Sequence, residues 1–155
     1  MIFTTVGTQL PFPRLTDFMV NWAASNVEQS VIQSGASQFL GQKDVYETLS
    51  EEQFIRHASN ARVIVSHAGI GSILTARDFV CPIIVVPRRA ALGEHRNDHQ
   101  IATARSFEGR KGVYVAWEVE HVASLLAQPL EASTPMAQPK TDDLVQHIKT
   151  FINAS

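Results

Sequence analysis

Between Val63 and Ala76 the chain reads VIVSHAGIGSILTA, an aliphatic run followed at once by helix-forming residues, with His67, Gly69, Gly71 and Ser72 at the joint. A tight turn from a buried strand into a helix leaves the first N–H groups of the helix without internal partners. Those groups and the helix dipole attract anions, phosphate above all. Glycines permit the turn and let a bulky ligand approach the backbone. Ser72 can cap the helix or give its hydroxyl to a phosphate oxygen, and His67 can donate to a phosphate or sugar oxygen. Taken alone, the pattern also fits a turn that needs glycine for geometry only. It is neither a Walker loop, since no lysine follows, nor a complete GxGxxG fingerprint.

A second polar stretch, VVPRRAALGEHRNDHQIATA, follows the next apolar run. Arg88 and Arg89 offer guanidinium forks to a diphosphate or a sugar carboxylate. Glu94 can accept from sugar hydroxyls, and His95, Asn97, His99 and Gln100 add donors and acceptors. The alternative is a solvated surface loop. If the chemistry is transfer to a hydroxyl, a base must take its proton, and His95 and Glu94 are the candidates on this chain. A third turn, VGTQLPFPRL, follows the first strand and contributes Gly7, Thr8 and Gln9. His95 and His99, four residues apart beside Asp98, would permit a metal site on a helix. No third ligand and no HExxH motif accompany them, so no metal is expected.

These turns need elements to carry them. Strands are expected at 2–6, 31–34, 62–66, 82–86 and 113–116, and helices at 12–25, 50–58, 70–80, 96–107, 118–127 and 141–153. Short β-rich runs alternating with longer amphipathic ones describe a parallel sheet joined by crossover helices. The unbroken hydrophobicity of RVIVS and PIIVVP requires both sheet faces to be covered. The three turns then lie at the carboxyl ends of strands, where open α/β sheets bind ligands. The expected organisation is a Rossmann-like domain over residues 1–127, a proline-bearing linker over 128–140 and an amphipathic helix over 141–155 that packs on the domain or on a partner.

With 155 residues the chain suits one domain with a single sizeable core. A net charge of −2 gives no overall attraction to nucleic acid, so any basic site is local. The one cysteine, Cys81, allows no internal disulfide and reads as a small buried hydrophobe. No apolar run approaches the ~20 residues that span a bilayer. A cytoplasmic chain is expected, held at a membrane only through a partner.

MIFTTVGTQLPFPRL, SHAGIGSILTA and PIIVVPRRAALGEHRNDHQIATA together resemble the family 28 glycosyltransferase C-terminal domain, over Met1 to about Val122. Within it they are most similar to the small catalytic subunits of two-part transferases, and RRAALGEHRNDHQ to the bacterial exopolysaccharide β-1,4-glucuronosyl- or galactosyltransferase subunits. The resemblance implies the donor half of a GT-B enzyme, with a UDP-sugar as substrate and no further cofactor. It implies that His67, Gly69, Gly71 and Ser72 face the donor diphosphate, that Arg88, Glu94, His95, Asn97, His99 and Gln100 close on the sugar and nucleotide, and that Gly7 and Thr8 match the motif after the first strand. It also implies a membrane-associated partner subunit that holds a lipid-linked glycan acceptor. Larger members often carry a ribose-binding Glu in the glycine-turn helix, where this chain has Thr75. The alternative from another class is a non-catalytic nucleotide-sugar sensor or scaffold.

Overall fold

A computed structural model of the chain describes residues 1–39 and 41–134. The strands are β1 (Ile2–Thr5), β2 (Ser30–Gln33), β3 (Val45–Tyr46), β4 (Val63–His67), β5 (Ile83–Val86) and β6 (Val113–Val115). The helices are α1 (Pro13–Ser25), α2 (Glu51–Asn60), α3 (Ile70–Asp78), α4 (His99–Phe107) and α5 (His121–Leu126). The strands form one sheet in the order β3-β2-β1-β4-β5-β6, and every pairing is parallel. The reversal of strand order between β1 and β4 puts their carboxyl ends side by side at a switch point.

Alternate residues of the central strands point to opposite faces, and both faces are buried. On one face Ile2, Val63, Val65 and Ile84 pack with Leu15 and Met19 of α1 and with Val122 and Leu126 of α5. On the other, Phe3, Ile64, Ile83 and Val85 pack with Ala58 of α2, Ile73 and Ala76 of α3 and Ala104 of α4. Cys81 is buried in this second layer, and burial pushes its thiol up to about 11, as a small hydrophobe requires. The fold is therefore the expected Rossmann-like parallel sheet with helices on both faces.

Most element ends fall within a few residues of expectation; two boundaries and one strand differ for local reasons. Ser50 lies outside α2 as its N-cap, in a reciprocal capping box with Gln53. Helix α4 starts at His99, not at residue 96, because Asn97 and Asp98 spend their side chains on the turn: Asn97 Oδ1 accepts from His99 N and Asp98 Oδ1 from Ala90 N. His95 thus precedes the helix that His99 begins, and the helical pairing of the two histidines does not form. The strand β3 was not anticipated. It is two residues long and is added to the edge by Ile32 N–H donating to Asp44 O and Ser34 N–H donating to Tyr46 O.

The last described residues return to the sheet edge, where Glu131 N–H donates to Tyr114 Oη at 2.8 Å. The helix expected over 141–153 and the remainder of the expected linker, 135–140, lie outside the described residues. Among the described residues no helix is long and apolar enough to cross a membrane.

Candidate functional site

A cleft of about 600 Å³ opens at the carboxyl ends of β1, β4 and β5. Its floor is the turn from β4 into α3. Gly69 is the N-cap of α3 and has no side chain to satisfy the helix; the first N–H group bonded back is that of Ile73, to Gly69 O. The N–H groups of Ile70, Gly71 and Ser72 therefore have no partner among the described residues, and the positive end of the helix dipole adds to them.

The glycines do different work. A Cβ on Gly69 or on Gly7 would come within 3.0 Å of the His67 ring, which lies between them. Gly7 also has φ +76°, where a side chain is strained. Both glycines thus make room for His67. A Cβ on Gly71 would meet nothing within 4 Å among the described residues, so no described neighbour accounts for that glycine. Burial, with the charges of Arg88 and His95, lowers the His67 pKa to about 4, and the imidazole is neutral at physiological pH.

The wall opposite is the β1–α1 loop, and Arg88 holds it. Arg88 is 2% exposed and lies over the Phe12 ring with its guanidinium carbon 4.6 Å from the ring centroid. Its Nη1 donates to Pro11 O at 2.7 Å and to Glu94 O at 3.4 Å, and its Nη2 to Val6 O at 3.0 Å and Leu10 O at 2.6 Å. Arg88 reaches the cleft lining, but its fork is spent on four carbonyl groups and is not a free fork for diphosphate.

Glu94 is engaged in the same way. Arg14 grips its carboxylate through Nε at 2.6 Å and Nη2 at 2.9 Å, and Arg89 N–H donates to it at 2.9 Å. Burial alone would raise the Glu94 carboxyl, yet the Arg14 fork and the Arg89 N–H hold it below the usual carboxylate range. Arg89 points away, to Trp117 O and Glu118.

The structure therefore brings Gly7, Thr8, His67, Gly69, Gly71, Ser72, Arg88, His95 and Gln100 to one cleft. Glu94, Arg89, Asn97 and His99 are not in its lining: Glu94 is held by Arg14 and the Arg89 N–H, Arg89 by Trp117 O and Glu118, and Asn97 Oδ1 accepts from His99 N–H. His95 lines the cleft, its Nδ1 accepting weakly from Asn97 N–H at 3.5 Å. Thr5, Gln33, Glu51 and Thr75 also line it, and sequence reasoning did not single out the first three. Arg14 was missed as well, since nothing local marks a residue whose partner is 80 positions away. Among the described residues no group of three His, Cys, Asp or Glu is placed to hold a metal ion.

A search of curated proteins finds no match. Among solved structures, the kitacinnamycin glycosyltransferase superposes with a TM-score of 0.60 at 18% identity, over 83% of this chain and 34% of its own. The solution structure of ALG13 gives 0.57 at 19% identity, over 94% of this chain and 93% of its own. The glycosyltransferase VinC, solved with dTDP, gives 0.54 at 19%, over 83% and 33%. The chain thus spans about a third of two of these and nearly all of ALG13. At such identities the likeness carries the fold, that of the C-terminal half of GT-B glycosyltransferases. Residues 1–151 match the model of the glycosyltransferase family 28 C-terminal domain, and the chain belongs to that family.

Proposed function

We propose that the chain is the donor-binding part of an inverting glycosyltransferase. Its donor is UDP-glucuronate, and the sugar passes to a lipid-linked glycan in exopolysaccharide synthesis. A membrane-associated subunit holds the acceptor and keeps this chain at the cytoplasmic face of the membrane.

One observation carries the donor reading: at the start of α3 the amides are unpaired, and Gly71 and Ser72, which carry two of them, line a cleft where Gly71 presents no side chain. As the anomeric carbon separates from the leaving diphosphate, negative charge grows on the phosphate oxygens. Amides and a helix dipole already fixed in place stabilise that charge without reorganising. His95 is this chain's candidate base, because the Glu94 carboxylate is committed to Arg14. Support for a partner comes from Leu10 and Leu92, 44% and 56% exposed on the two loops that Arg88 and Glu94 tie together. The engagement of Glu94 also favours a second reading, a nucleotide-sugar sensor or scaffold that binds the donor without chemistry.

Calorimetric titration of a UDP-sugar panel against the pure chain tests the donor site; no binding by any UDP-sugar overturns it. Labelled UDP-glucuronate with partner-containing membranes then separates the two readings. Gly71→Asp puts an anion among the α3 amides and is expected to weaken donor binding about 100-fold, roughly 2.7 kcal/mol, with the fold intact. Product lost with that variant supports the enzyme, and unchanged product supports the scaffold.

A further inference from the structure

The hydroxyl of Ser66 touches three groups and carries one hydrogen. Its Oγ lies 2.8 Å from Thr5 O, 3.0 Å from Ser72 Oγ and 3.1 Å from His67 Nδ1. A carbonyl oxygen only accepts, so the hydrogen goes to Thr5. Ser66 Oγ then accepts twice, from the Ser72 hydroxyl and from an N–H on His67 Nδ1. Ser66 is fully buried, and water does not compete for these bonds.

Two consequences follow for the cleft. The Ser72 hydrogen is turned towards Ser66, so Ser72 offers the cleft lone pairs and its backbone N–H. The neutral His67 ring carries its proton on Nδ1, which leaves Nε2 a bare acceptor without a partner among the described residues. Nε2 is the ring atom nearest the position of a Cβ on Gly69, the N-cap of α3. An acceptor is thus aimed at the point where the α3 amides draw an anion. Two acceptors cannot bond unless a proton comes between them.

We propose that Ser66 is a positioning residue that holds His67 in its Nδ1–H form, and that a diphosphate arriving at the start of α3 brings His67 a second proton, taken from solvent onto Nε2. The proposal rests on the diphosphate reading above. The charged and titratable groups facing the ring are Arg88 and His95 from the β5–α4 loop. Thr5 and Gly7 on the β1 side and Ser72 on α3 bring no side-chain charge, and Glu51 lines the cleft from α2. Without a diphosphate, burial and the Arg88 charge keep the ring neutral against the pull of the Thr5 backbone oxygen. A dianion within bonding distance reverses that balance and raises the His67 titration by about one to three pH units. Donor binding therefore adds up to one positive charge to the cleft in the window between the two titrations, from about pH 4 to at most about pH 7.

Long-range ¹H–¹⁵N spectra of the ¹⁵N-labelled full chain read the ring directly, with His67→Gln to assign its signals. In the empty protein at pH 7, His67 is expected to show a protonated Nδ1 and a bare Nε2. Ser66→Ala is expected to lose that preference and Ser66→Thr to keep it; a merely structural role for Ser66 would not move the tautomer. A wild-type spectrum with the proton on Nε2 overturns the proposal. Saturating UDP is expected to shift the Gly71 and Ser72 amides and to move the His67 titration up by at least one pH unit. Amide shifts with an unmoved His67 titration overturn the proton uptake and leave the donor site standing. No amide response to UDP overturns both the donor reading and the uptake, while the empty-protein tautomer still decides the role of Ser66.

Discussion

The β4–α3 turn and the β5–α4 loop sit on neighbouring strands and face the same cleft, yet they solve opposite problems. The first is built of small residues and leaves amides unpaired. The second holds arginines, histidines, an acid and amides, and most of these bind each other or the β1–α1 loop. Polar side chains in a loop find partners at hand, whereas backbone groups at a helix start have none unless a cap supplies one. The lesson is that the poorer-looking stretch is the open site and the richer-looking one is its frame.

That contrast can be broken by substitution. The largest effect is expected for Arg88→Ala, which strips four carbonyl groups of their donor. At about 1 kcal/mol for each unmet bond the loss is roughly 4 kcal/mol, a fall of about 10 °C or more in Tm by calorimetry. Retention of the wild-type Tm would mean that the loop is not held by this residue. Arg88→Lys is not expected to rescue it, because an ammonium cannot reproduce the fork.

Acid acts next. The His67 pKa is about 4 in the folded chain against 6.5 for the free group, so the unfolded chain binds the proton first. Stability at this site is unaffected above pH 6.5 and falls as pH drops towards 4, by about 3 kcal/mol in total. Melting curves at pH 7 and pH 4.5 for wild type and His67→Gln check this: the acid-induced fall is expected to be smaller in the variant.

Smaller effects sharpen the comparison within the turn itself. Gly69→Ala drives a methyl into the His67 ring and is expected to cost about 1–2 kcal/mol. Gly71→Ala enters open space and is expected to leave Tm unchanged or slightly raised. Equal effects of the two in thermal melts would remove the distinction drawn between these glycines. Smallest of all is Glu118→Ala, which deletes an exposed pair with Arg89; Tm and UDP affinity are expected to stay within error of wild type.

Much of the fold was legible because the central strands are continuous apolar runs. Both faces of VIVS and IIVV are covered, as continuous apolar strands in a parallel sheet require. Strand β3 was not legible, since Val45 and Tyr46 carry no periodicity and are strand only by virtue of backbone bonds to β2. The cleft was legible at the three strand-ending turns. Which side chains would stay free was not. Arg88 and Glu94 have the right chemistry for a ligand, and only the tertiary placement of Pro11, Leu10 and Arg14 decides that they are spent. Ser66 was passed over because a hydroxyl inside a strand reads as filler until its three neighbours are known.

The grip of Arg88 on the β1–α1 loop also bears on when the cleft comes into being. Val6, Leu10 and Pro11 precede their common donor by 82, 78 and 77 positions. As the chain is synthesised, that wall has no support until β5 has docked, so half-made or locally opened molecules have no pocket to fill. A ligand of this cleft would then act only on finished protein and protect it against global rather than local opening, and exchange of the Leu10 amide would slow in step with the core strands.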